Sequence, residues 1–208
     1  MNGNLNERKV ILLGDAGVGK TSLLNKYLSP NTEIGNELPT VGSQFEKIKI
    51  VNSNGAEIQL NVWDTAGQEQ FRSTIQLYLR DVQIAFICFD YKEIESTKIS
   101  DWGKLLLSYS PNSNLFLVAT KIDKYTSDDI KNVQNFMSNA VQRSNQFSNF
   151  FMTSAITGEG INDLFLHAAN IEIQEEDEND DPHNKIKIGS NDNDNNNNNN
   201  TNFGSNCC

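Results

Sequence analysis

The sequence predicts an α/β fold: a mainly parallel, six-stranded sheet with one antiparallel edge strand and helices on both faces. Three observations support this prediction. Short apolar runs alternate with helix-like segments between residues 9 and 170, which is typical of parallel strands that are buried on both faces. A glycine-rich loop joins the first strand to the first helix, and a hairpin-like stretch follows that helix.

The individual elements follow from apolar runs and turn residues. A buried strand (KVILLG) leads into a helix (GKTSLLNKYL), and FEKIKIVNSNGAEIQLNVWD predicts a hairpin in which Asn54-Gly55 supplies the positive-φ turn. Three more apolar runs, IAFICFD, LFLVAT and FFMTSA, predict the remaining strands. Helices are expected between them, around residues 96–109 and 127–143, and GINDLFLHAANI predicts the last helix.

Composition divides the 208 residues into a domain over residues 1–174 and a tail over residues 175–208. The tail has few apolar residues and a run of asparagines, so it cannot offset its ordering entropy, and we expect a disordered tether. Residues 1–170 carry 15 basic and 18 acidic side chains, whereas residues 171–208 carry two and nine, a net charge of −7. The nearly balanced domain has no basic stripe, which argues against nucleic acid as a partner.

The cysteines and the N-terminal segment indicate the compartment. Three cysteines, one of them (Cys88) inside an apolar run, favour a reducing environment in which Cys88 is a small buried hydrophobe. The polar start does not resemble a secretory signal, and Asn2 in place of glycine excludes N-myristoylation. Apolar runs are too short to cross a bilayer. We therefore expect a soluble cytosolic chain unless a lipid is attached.

The segment GDAGVGKT, residues 14–21, matches the phosphate-binding pattern G-x-x-x-x-G-K-[ST] in full. Gly17 and Gly19 let the backbone curl so that successive N–H groups face phosphate oxygens, and the helix N-terminus adds partial positive charge. Lys20 is expected to reach the β- and γ-phosphates, and the Thr21 hydroxyl to ligate Mg²⁺. A chance glycine-rich turn is the alternative, but the strand before it and the helix after it favour a nucleoside triphosphate site. The predicted contacts are Gly14, Asp15, Ala16, Gly17, Val18, Gly19, Lys20, Thr21 and Ser22.

A second phosphate-contacting segment is predicted at WDTAGQE. Asp64 ends an apolar strand, where an acid can hold Mg²⁺ through its water shell. Gly67 can bring a backbone N–H to the γ-phosphate, and Gln68 can orient the attacking water. An ordinary strand-to-loop turn is the alternative, and it is weak downstream of a phosphate-binding loop. The predicted contacts are Asp64, Thr65, Ala66, Gly67 and Gln68.

Two further strand ends predict which base is bound. Asp123, in ATKID, is placed to accept hydrogen bonds from the N1–H and the 2-amino group of guanine, a donor pair that adenine lacks. The stem of Lys121 can lie over the purine ring, and the backbone N–H of Ala155, in TSAITG, is a candidate donor to guanine O6. The predicted base contacts are Thr120, Lys121, Asp123, Ser154, Ala155 and Ile156.

Five motifs resemble the Ras-like small GTPases, and the Rab family best, in their order and spacing over about residues 7–170. They are GDAGVGKT, PTVG, WDTAGQEQFRS, TKID and TSA. The resemblance implies a P-loop NTPase G domain and a switch that binds and hydrolyses GTP, slowly without an activating protein, in vesicle and membrane traffic. It implies Mg²⁺ as the cofactor of GTP and GDP, with Thr40 as the switch I threonine that ligates the metal. The implied metal ligands are Thr21, Thr40 and Asp64, and the implied catalytic residues are Gln68 and Lys20.

The resemblance also implies partners: effector proteins that bind switch I and switch II, an exchange factor, an activating protein and a carrier that shields prenyl groups. The tail ends on Cys207 and Cys208, and Rab proteins that end in adjacent cysteines typically carry a geranylgeranyl group on each. The implied location is the cytoplasmic face of an intracellular or plasma membrane, with a cytosolic pool. An unmodified disordered end is the alternative.

The physics of anchoring supports two lipids. A single lipid binds marginally and reversibly unless a polybasic patch assists it. Residues 171–208 offer only Lys185 and Lys187 against nine acids, so electrostatics opposes binding to an anionic leaflet. A second lipid, at about 0.8 kcal/mol per buried CH₂, replaces the missing charge.

Several positions depart from the family pattern. Thr120 stands where most members have asparagine, although Rho-type relatives share TKxD. Because threonine is shorter than asparagine, we expect it to lose part of the network that ties this loop to the phosphate-binding loop. Ile156 replaces the usual lysine, and switch I lacks an aromatic that packs on guanine, with Glu33 near that place. These departures weaken nucleotide retention more than hydrolysis, so we expect exchange faster than typical.

Two other function classes stay open. One is a lipid-anchored guanine-nucleotide binding module with fast exchange and little hydrolysis, which the same departures favour. The other is an ATP-using P-loop enzyme such as a kinase, which Asp123 disfavours because that carboxylate suits guanine, and because no arginine-rich lid segment occurs.

Overall fold

The computed structural model describes residues 6–33, 35, 40, 42–67, 75–93 and 96–173. The strands are β1 (Glu7–Leu13), β2 (Ser43–Val51), β3 (Glu57–Thr65), β4 (Ile84–Asp90), β5 (Asn114–Thr120) and β6 (Asn149–Met152). The α-helices are α1 (Lys20–Leu28), α2 (Ser96–Leu107), α3 (Ser127–Arg143) and α4 (Ile161–Asn170).

All six strands form one sheet in the order β2-β3-β1-β4-β5-β6. Strand β1 pairs in parallel with β3 and β4, and the parallel pairing continues through β5 to β6. Only the pair of β2 and β3 is antiparallel, because these two strands form the hairpin. The predicted fold, mainly parallel with one antiparallel edge strand, is confirmed.

The hairpin turn is present, and Gly55 has a φ of +80° whereas Asn54 does not enter the positive-φ region. Instead, the Asn52 side chain organises the turn: its Oδ1 accepts the backbone N–H of Asn54 at 3.0 Å and that of Ala56 at 2.9 Å. The positive φ that was predicted for the pair is therefore needed at the glycine alone.

Alternate residues of β1 point to opposite faces of the sheet and build two cores. Val10 and Leu12 belong to the core beneath α1 and α4, where Phe165 also packs, whereas Ile11 and Leu13 belong to the core beneath α2 and α3. Burial of each large apolar side chain contributes about 1.5–3 kcal/mol. Helices cover both faces of the sheet, as predicted, because successive strand residues point to opposite faces and are apolar on both.

The predicted helix bounds agree closely with the structure. Helix α3 spans the predicted residues 127–143, whereas α2 ends at Leu107, two residues before the predicted end. None of the helices in the described part of the chain has the length and apolar composition that crossing a bilayer requires. The predicted tether, residues 175–208, lies outside the described residues.

Candidate functional site

The predicted site residues lie at the carboxyl edge of the parallel strands. Strand β1 leads into the phosphate-binding loop, β3 ends at Thr65, and β5 ends at Thr120. Carboxyl ends of parallel strands form the ligand crevice of open α/β sheets. The fold therefore brings together three segments that are more than 40 residues apart in the sequence.

The phosphate-binding loop packs tightly against the end of β4. A Cβ built at Gly14 would lie 2.2 Å from the carbonyl oxygen of Cys88, so a larger residue does not fit there without backbone movement. Gly17 and Gly19 have φ values of +73° and +104°, and Gly19 caps the N-terminus of α1. The loop thus has the curled backbone that the glycine spacing predicts.

Lys20 is held inside the loop that precedes it. Its ammonium donates to the carbonyl oxygens of Gly14, at 2.8 Å, and Asp15, at 2.9 Å, and the residue is only 5% exposed. Burial lowers the pKa of Lys20, while the nearby carboxylates of Asp64 and Asp15 act in the opposite direction. The arrangement places one buried positive charge beside the predicted phosphate-binding backbone.

Three oxygen atoms from the predicted metal ligands meet beside this loop. The Thr21 hydroxyl donates to Asp64 Oδ2 at 2.6 Å, and the hydroxyls of Thr21 and Thr40 are also 2.6 Å apart. Because Thr21 has one proton and gives it to Asp64, Thr40 donates to Thr21. Two hydroxyl oxygens and a carboxylate oxygen are hard donors of the kind that Mg²⁺ prefers, so the cluster fits this cation.

Each of the three residues that follow Asp64 contacts another part of the chain. The Thr65 hydroxyl donates to the Leu12 carbonyl at 2.7 Å, and the Ala66 N–H donates to the Gly42 carbonyl at 2.9 Å. A Cβ built at Gly67 would lie 2.4 Å from the carbonyl oxygen of Asp15, so this backbone touches the phosphate-binding loop directly.

These contacts join the predicted second phosphate segment to the first. Thr40 and Gly67, which the sequence assigns to the two switches, both reach the loop that holds Lys20. Gln68, the predicted catalytic glutamine, lies outside the described residues, as do Cys207 and Cys208. Their roles stay predictions.

Thr120 keeps a direct link to the phosphate-binding loop. Its hydroxyl oxygen lies 2.5 Å from the Val18 carbonyl and 2.9 Å from the Phe89 carbonyl. The sequence led us to expect that a side chain shorter than asparagine would lose part of this network. The structure shows that the hydroxyl bridges the end of β5, the end of β4 and the loop, so the link to Val18 is present.

The predicted base-contacting residues lie on two adjacent loops. The Ser154 hydroxyl donates to Asp123 Oδ1 at 2.6 Å and accepts the N–H of Thr157 at 3.1 Å. Asp123 itself is exposed, Ala155 is half-buried, and Ile156 is 55% exposed. The Asp123 carboxylate is therefore oriented by Ser154 while its face toward solvent stays open to a ligand.

Two side chains that the sequence analysis did not single out contact predicted site residues. The carboxylate of Asp90 lies 3.2 Å from the Lys121 ammonium, and the Trp102 indole N–H donates to Asp15 Oδ1 at 3.0 Å. The position of Asp90 carries a signal, since it is the last residue of an apolar strand and Asp64 is the last but one of β3. Trp102 carries no such signal, because an aromatic on an apolar helix face is ordinarily part of the core.

A row of aromatic rings near the two switch segments was also missed. The rings of Phe45 and Trp63 are 4.8 Å apart, and those of Trp63 and Tyr78 are likewise 4.8 Å apart. Phe45 is 41% exposed and the neighbouring Leu77 is 75% exposed. Alternation along β2 and β3 could have indicated the first two rings, but their contact depends on the hairpin register.

Comparisons with known proteins agree with this arrangement. The model of the Ras family matches residues 9–174. The Ras-related protein Rab-24 of Dictyostelium discoideum is 34% identical over 158 residues, which cover 76% of each chain. The Ras-related protein Rab-30 of Homo sapiens is 33% identical over 168 residues, 77% of each chain. The Ras-related protein RABC2a of Arabidopsis thaliana is 40% identical over 120 residues, 56% of each chain.

The extent of these matches decides the family. The family model covers the glycine-rich loop, both strand-end segments and the base-contacting loops, and two relatives named Rab exceed 30% identity over about three quarters of the chain. The chain therefore belongs to the Ras family of small GTPases, and within it to the Rab proteins.

Proposed function

We propose that this GTPase is a Rab-like molecular switch in vesicle and membrane traffic, active when bound to GTP and reset by exchange of GDP. As a member of a GTPase family it hydrolyses GTP to GDP and phosphate. The proposal rests above all on one observation: the oxygen cluster of Thr21, Thr40 and Asp64 lies beside the buried Lys20 ammonium. That combination suits a triphosphate with its magnesium ion.

The described residues suggest how the switch works. Lys20 holds the β- and γ-phosphates, while Thr40 and the Gly67 backbone bring both switch segments against the γ-phosphate. Thr21, Thr40 and Asp64 would hold Mg²⁺, which would supply charge neutralisation at the phosphates. Gln68 is proposed to orient the attacking water. After hydrolysis the γ-phosphate no longer holds the switches, and they relax.

Intrinsic hydrolysis is expected to be slow. Catalysis of this kind consists of positioning and charge stabilisation, and residues 29–42 contain no arginine that could assist in cis. An activating protein that supplies an arginine would accelerate hydrolysis by about 10³–10⁵. The GDP form would require an exchange factor.

Effectors are proposed to bind the aromatic row of Phe45, Trp63 and Tyr78, in which Phe45 is exposed and the other two rings are half-buried. Apolar side chains grouped at the surface in this way are typical of interaction sites. The row lies on β2, β3 and the turn at residues 76–78, and the Ala66–Gly42 hydrogen bond joins the two switch segments beside it. A change at Thr40 or Gly67 would therefore reach the surface that an effector contacts.

The membrane part of the proposal concerns the tail. Geranylgeranyl groups on Cys207 and Cys208 would anchor the protein to the cytoplasmic face of an intracellular or plasma membrane, and a carrier would shield them in the cytosol. Two lipids are required because the residues after position 170 have a net charge of −7 and repel anionic lipids.

The second candidate function is a lipid-anchored binding module that exchanges nucleotide quickly and hydrolyses little. The exposed Ile156, in place of a lysine, favours it. The Thr120 link to Val18 disfavours it, because it connects the base-contacting loop to the phosphate-binding loop. We therefore place the switch first.

The test begins with the nucleotide that the protein retains. Protein purified with Mg²⁺ is denatured, and the released nucleotide is identified by chromatography. We expect guanine nucleotide near one per chain, and Asp123→Ala should weaken binding of GDP about 100-fold, since two hydrogen bonds to a charged acceptor are lost. Asp128→Ala is the matched control, because this nearby acid has a side chain that is 90% exposed.

Single-turnover hydrolysis then separates the two candidates. GTP loaded on the wild type should be hydrolysed slowly and completely, and Gln68→Leu should slow this step without changing the bound nucleotide. Equal hydrolysis rates for wild type and Gln68→Leu would favour the binding module. Folded protein that is empty, or that carries adenine nucleotide, would contradict guanine recognition altogether.

A further inference from the structure

We propose that Asp90 is a positioning residue for the bound base: its carboxylate draws the Lys121 ammonium to one side and so fixes the lysine stem as the apolar wall of the base site. This inference rests on the proposed guanine-binding function and deepens it. Asp90 does not touch the ligand in this proposal, and its effect passes through Lys121.

Strand register brings the two residues together. Asp90 ends β4 and pairs with Thr120, the last residue of the parallel strand β5, so Lys121 follows immediately beside it. The Asp90 carboxylate is 6% exposed and the Lys121 side chain is 26% exposed, and their charged atoms are 3.2 Å apart. An ion pair so largely removed from water is held more firmly than an exposed one.

The Asp90 carboxylate is itself held in place by hydrogen bonds to its other oxygen. Its Oδ1 accepts the backbone N–H of Lys92 at 3.1 Å and the hydroxyl of Tyr125 at 3.3 Å. The Tyr125 oxygen in turn accepts the N–H of Tyr91 at 2.6 Å. Burial raises the pKa of Tyr125, so the hydroxyl keeps its proton and remains a donor at neutral pH.

The backbone of Lys121 restricts the side chain from the other direction. Its φ is +56°, in the left-handed region that residues other than glycine rarely adopt. Lys121 Cε lies 3.9 Å from the place where a Cβ at Gly19 would stand. The stem therefore runs past the N-terminus of α1, next to the phosphate-binding loop, with its ammonium on the Asp90 side.

Two consequences follow for a bound nucleotide. The charged end of Lys121 is kept off the purine face, and the methylene groups that cover that face lose little freedom when the base enters. A wall that is ordered before binding slows dissociation, because the bound base gains contacts at small entropic cost. We expect the effect mainly in the dissociation rate.

The experiment measures dissociation of a fluorescent GDP in the presence of Mg²⁺ from four full-length proteins: wild type, Asp90→Asn, Lys121→Met and the double variant. Asparagine keeps an acceptor for Lys92 and Tyr125 but removes the charge, and methionine keeps an apolar stem without the ammonium. Each single variant should release GDP about tenfold faster than wild type, the loss expected for one charge-assisted hydrogen bond.

The double variant separates positioning from general structural support. If Asp90 acts through Lys121, Asp90→Asn adds less than about twofold in the Lys121→Met background, because the ion pair is already absent. A further tenfold increase in that background would overturn the inference, as would a wild-type dissociation rate for Asp90→Asn alone. If Asp90→Asn does not fold, Lys121→Met decides alone: a wild-type rate overturns the inference.

Failure of the inference can be told apart from failure of the proposed function. Wild-type protein that retains no guanine nucleotide would overturn the proposed function and this inference with it. Wild-type protein that retains GDP and is matched in dissociation rate by Asp90→Asn overturns the inference alone. Thermal unfolding of the GDP-bound proteins checks that faster release does not reflect unfolding.

Discussion

Cys88 lies where the phosphate-binding loop meets the sheet, and its surroundings decide its chemistry. The residue is 2% exposed, as the apolar run around it predicted, and its carbonyl oxygen contacts Gly14. Burial raises the pKa of the Cys88 thiol to about 12. At pH 8 only about one such thiol in 10⁴ is ionised, and the thiolate is the reactive form.

We predict that Cys88 resists thiol reagents in the folded protein. In a Cys207→Ser, Cys208→Ser variant at pH 8, labelling by a chromogenic disulfide should be at least about 100-fold slower in buffer than in denaturant. The same variant with Cys88→Ala should show no labelling in either condition. Fast stoichiometric labelling of folded, GDP-bound protein would contradict the burial of this residue.

At the scale of a single element, α3 begins with reciprocal hydrogen bonds at its N-terminus. The Thr126 hydroxyl accepts the N–H of Asp129, and the Asp129 side chain accepts the N–H of Thr126. This capping box satisfies two backbone groups that the helix cannot satisfy itself. The pKa of Asp129 is lowered, first by the hydrogen bond from the Thr126 backbone and then by that from its side chain.

We predict that Thr126→Ala lowers the free energy of unfolding by about 1 kcal/mol, whereas Thr126→Ser, which keeps the hydroxyl, leaves it nearly unchanged. Urea unfolding of the GDP-bound proteins at pH 7 measures both values. Equal stability of the alanine and serine variants would show that the cap contributes nothing.

The contribution of this cap to the free energy of unfolding depends on pH, and the direction of the dependence follows from the pKa of Asp129. Because the pKa of Asp129 is lower in the folded state than its ordinary value of 3.8, its contribution is present above that value and is lost as pH falls through the folded pKa. The difference between wild type and Asp129→Asn should therefore shrink as the pH is lowered below 3.8. A difference that is constant from pH 7 to pH 2 would contradict the role of the carboxylate.

At the scale of the whole molecule, the domain boundary and the anchor can be tested together. A chain that ends at residue 173 should match full-length protein in thermal midpoint and in GDP dissociation, because α4 ends at Asn170 and the last described residues follow it. A midpoint lowered by several degrees would show that the tail contributes to the folded domain.

Anchoring is predicted to need both terminal cysteines. In flotation with vesicles of neutral lipid, doubly prenylated protein should stay bound, whereas prenylated Cys208→Ser protein, with one lipid, should dissociate during the run. Anionic lipid should not strengthen binding, because the residues after position 170 have a net charge of −7. Equal retention of the one-lipid and two-lipid forms would contradict the proposal.

Much of the fold could be predicted from local patterns. The apolar runs that become β4 and β5 are buried along nearly their whole length, so their composition alone predicts buried strands. The glycine spacing of residues 14–19 likewise predicts the curled loop, because this backbone conformation depends on residues within the loop itself. Helix α3 was predicted at its observed bounds, and the hydrogen bonds of its cap join residues only three positions apart.

Contacts between distant side chains could not be predicted in the same way. The Thr120 hydroxyl meets a carbonyl 102 residues away, and the Trp102 indole meets a carboxylate 87 residues away. The sequence does not show which carbonyl lies within reach of the Thr120 side chain, so the hydrogen bond to Val18 could not be predicted. Such distances depend on strand order and register, which no single segment contains.

The sequence by itself therefore determined the alternation of buried strands and helices, the curled phosphate-binding loop and the family, since each depends on residue types at short spacing. The tertiary structure decided which oxygens gather around Thr21 and which carboxylate holds Lys121. The physical reason is the parallel sheet: it brings strand ends from distant parts of the chain to one edge, where a hydrogen bond requires a fit within a few tenths of an ångström.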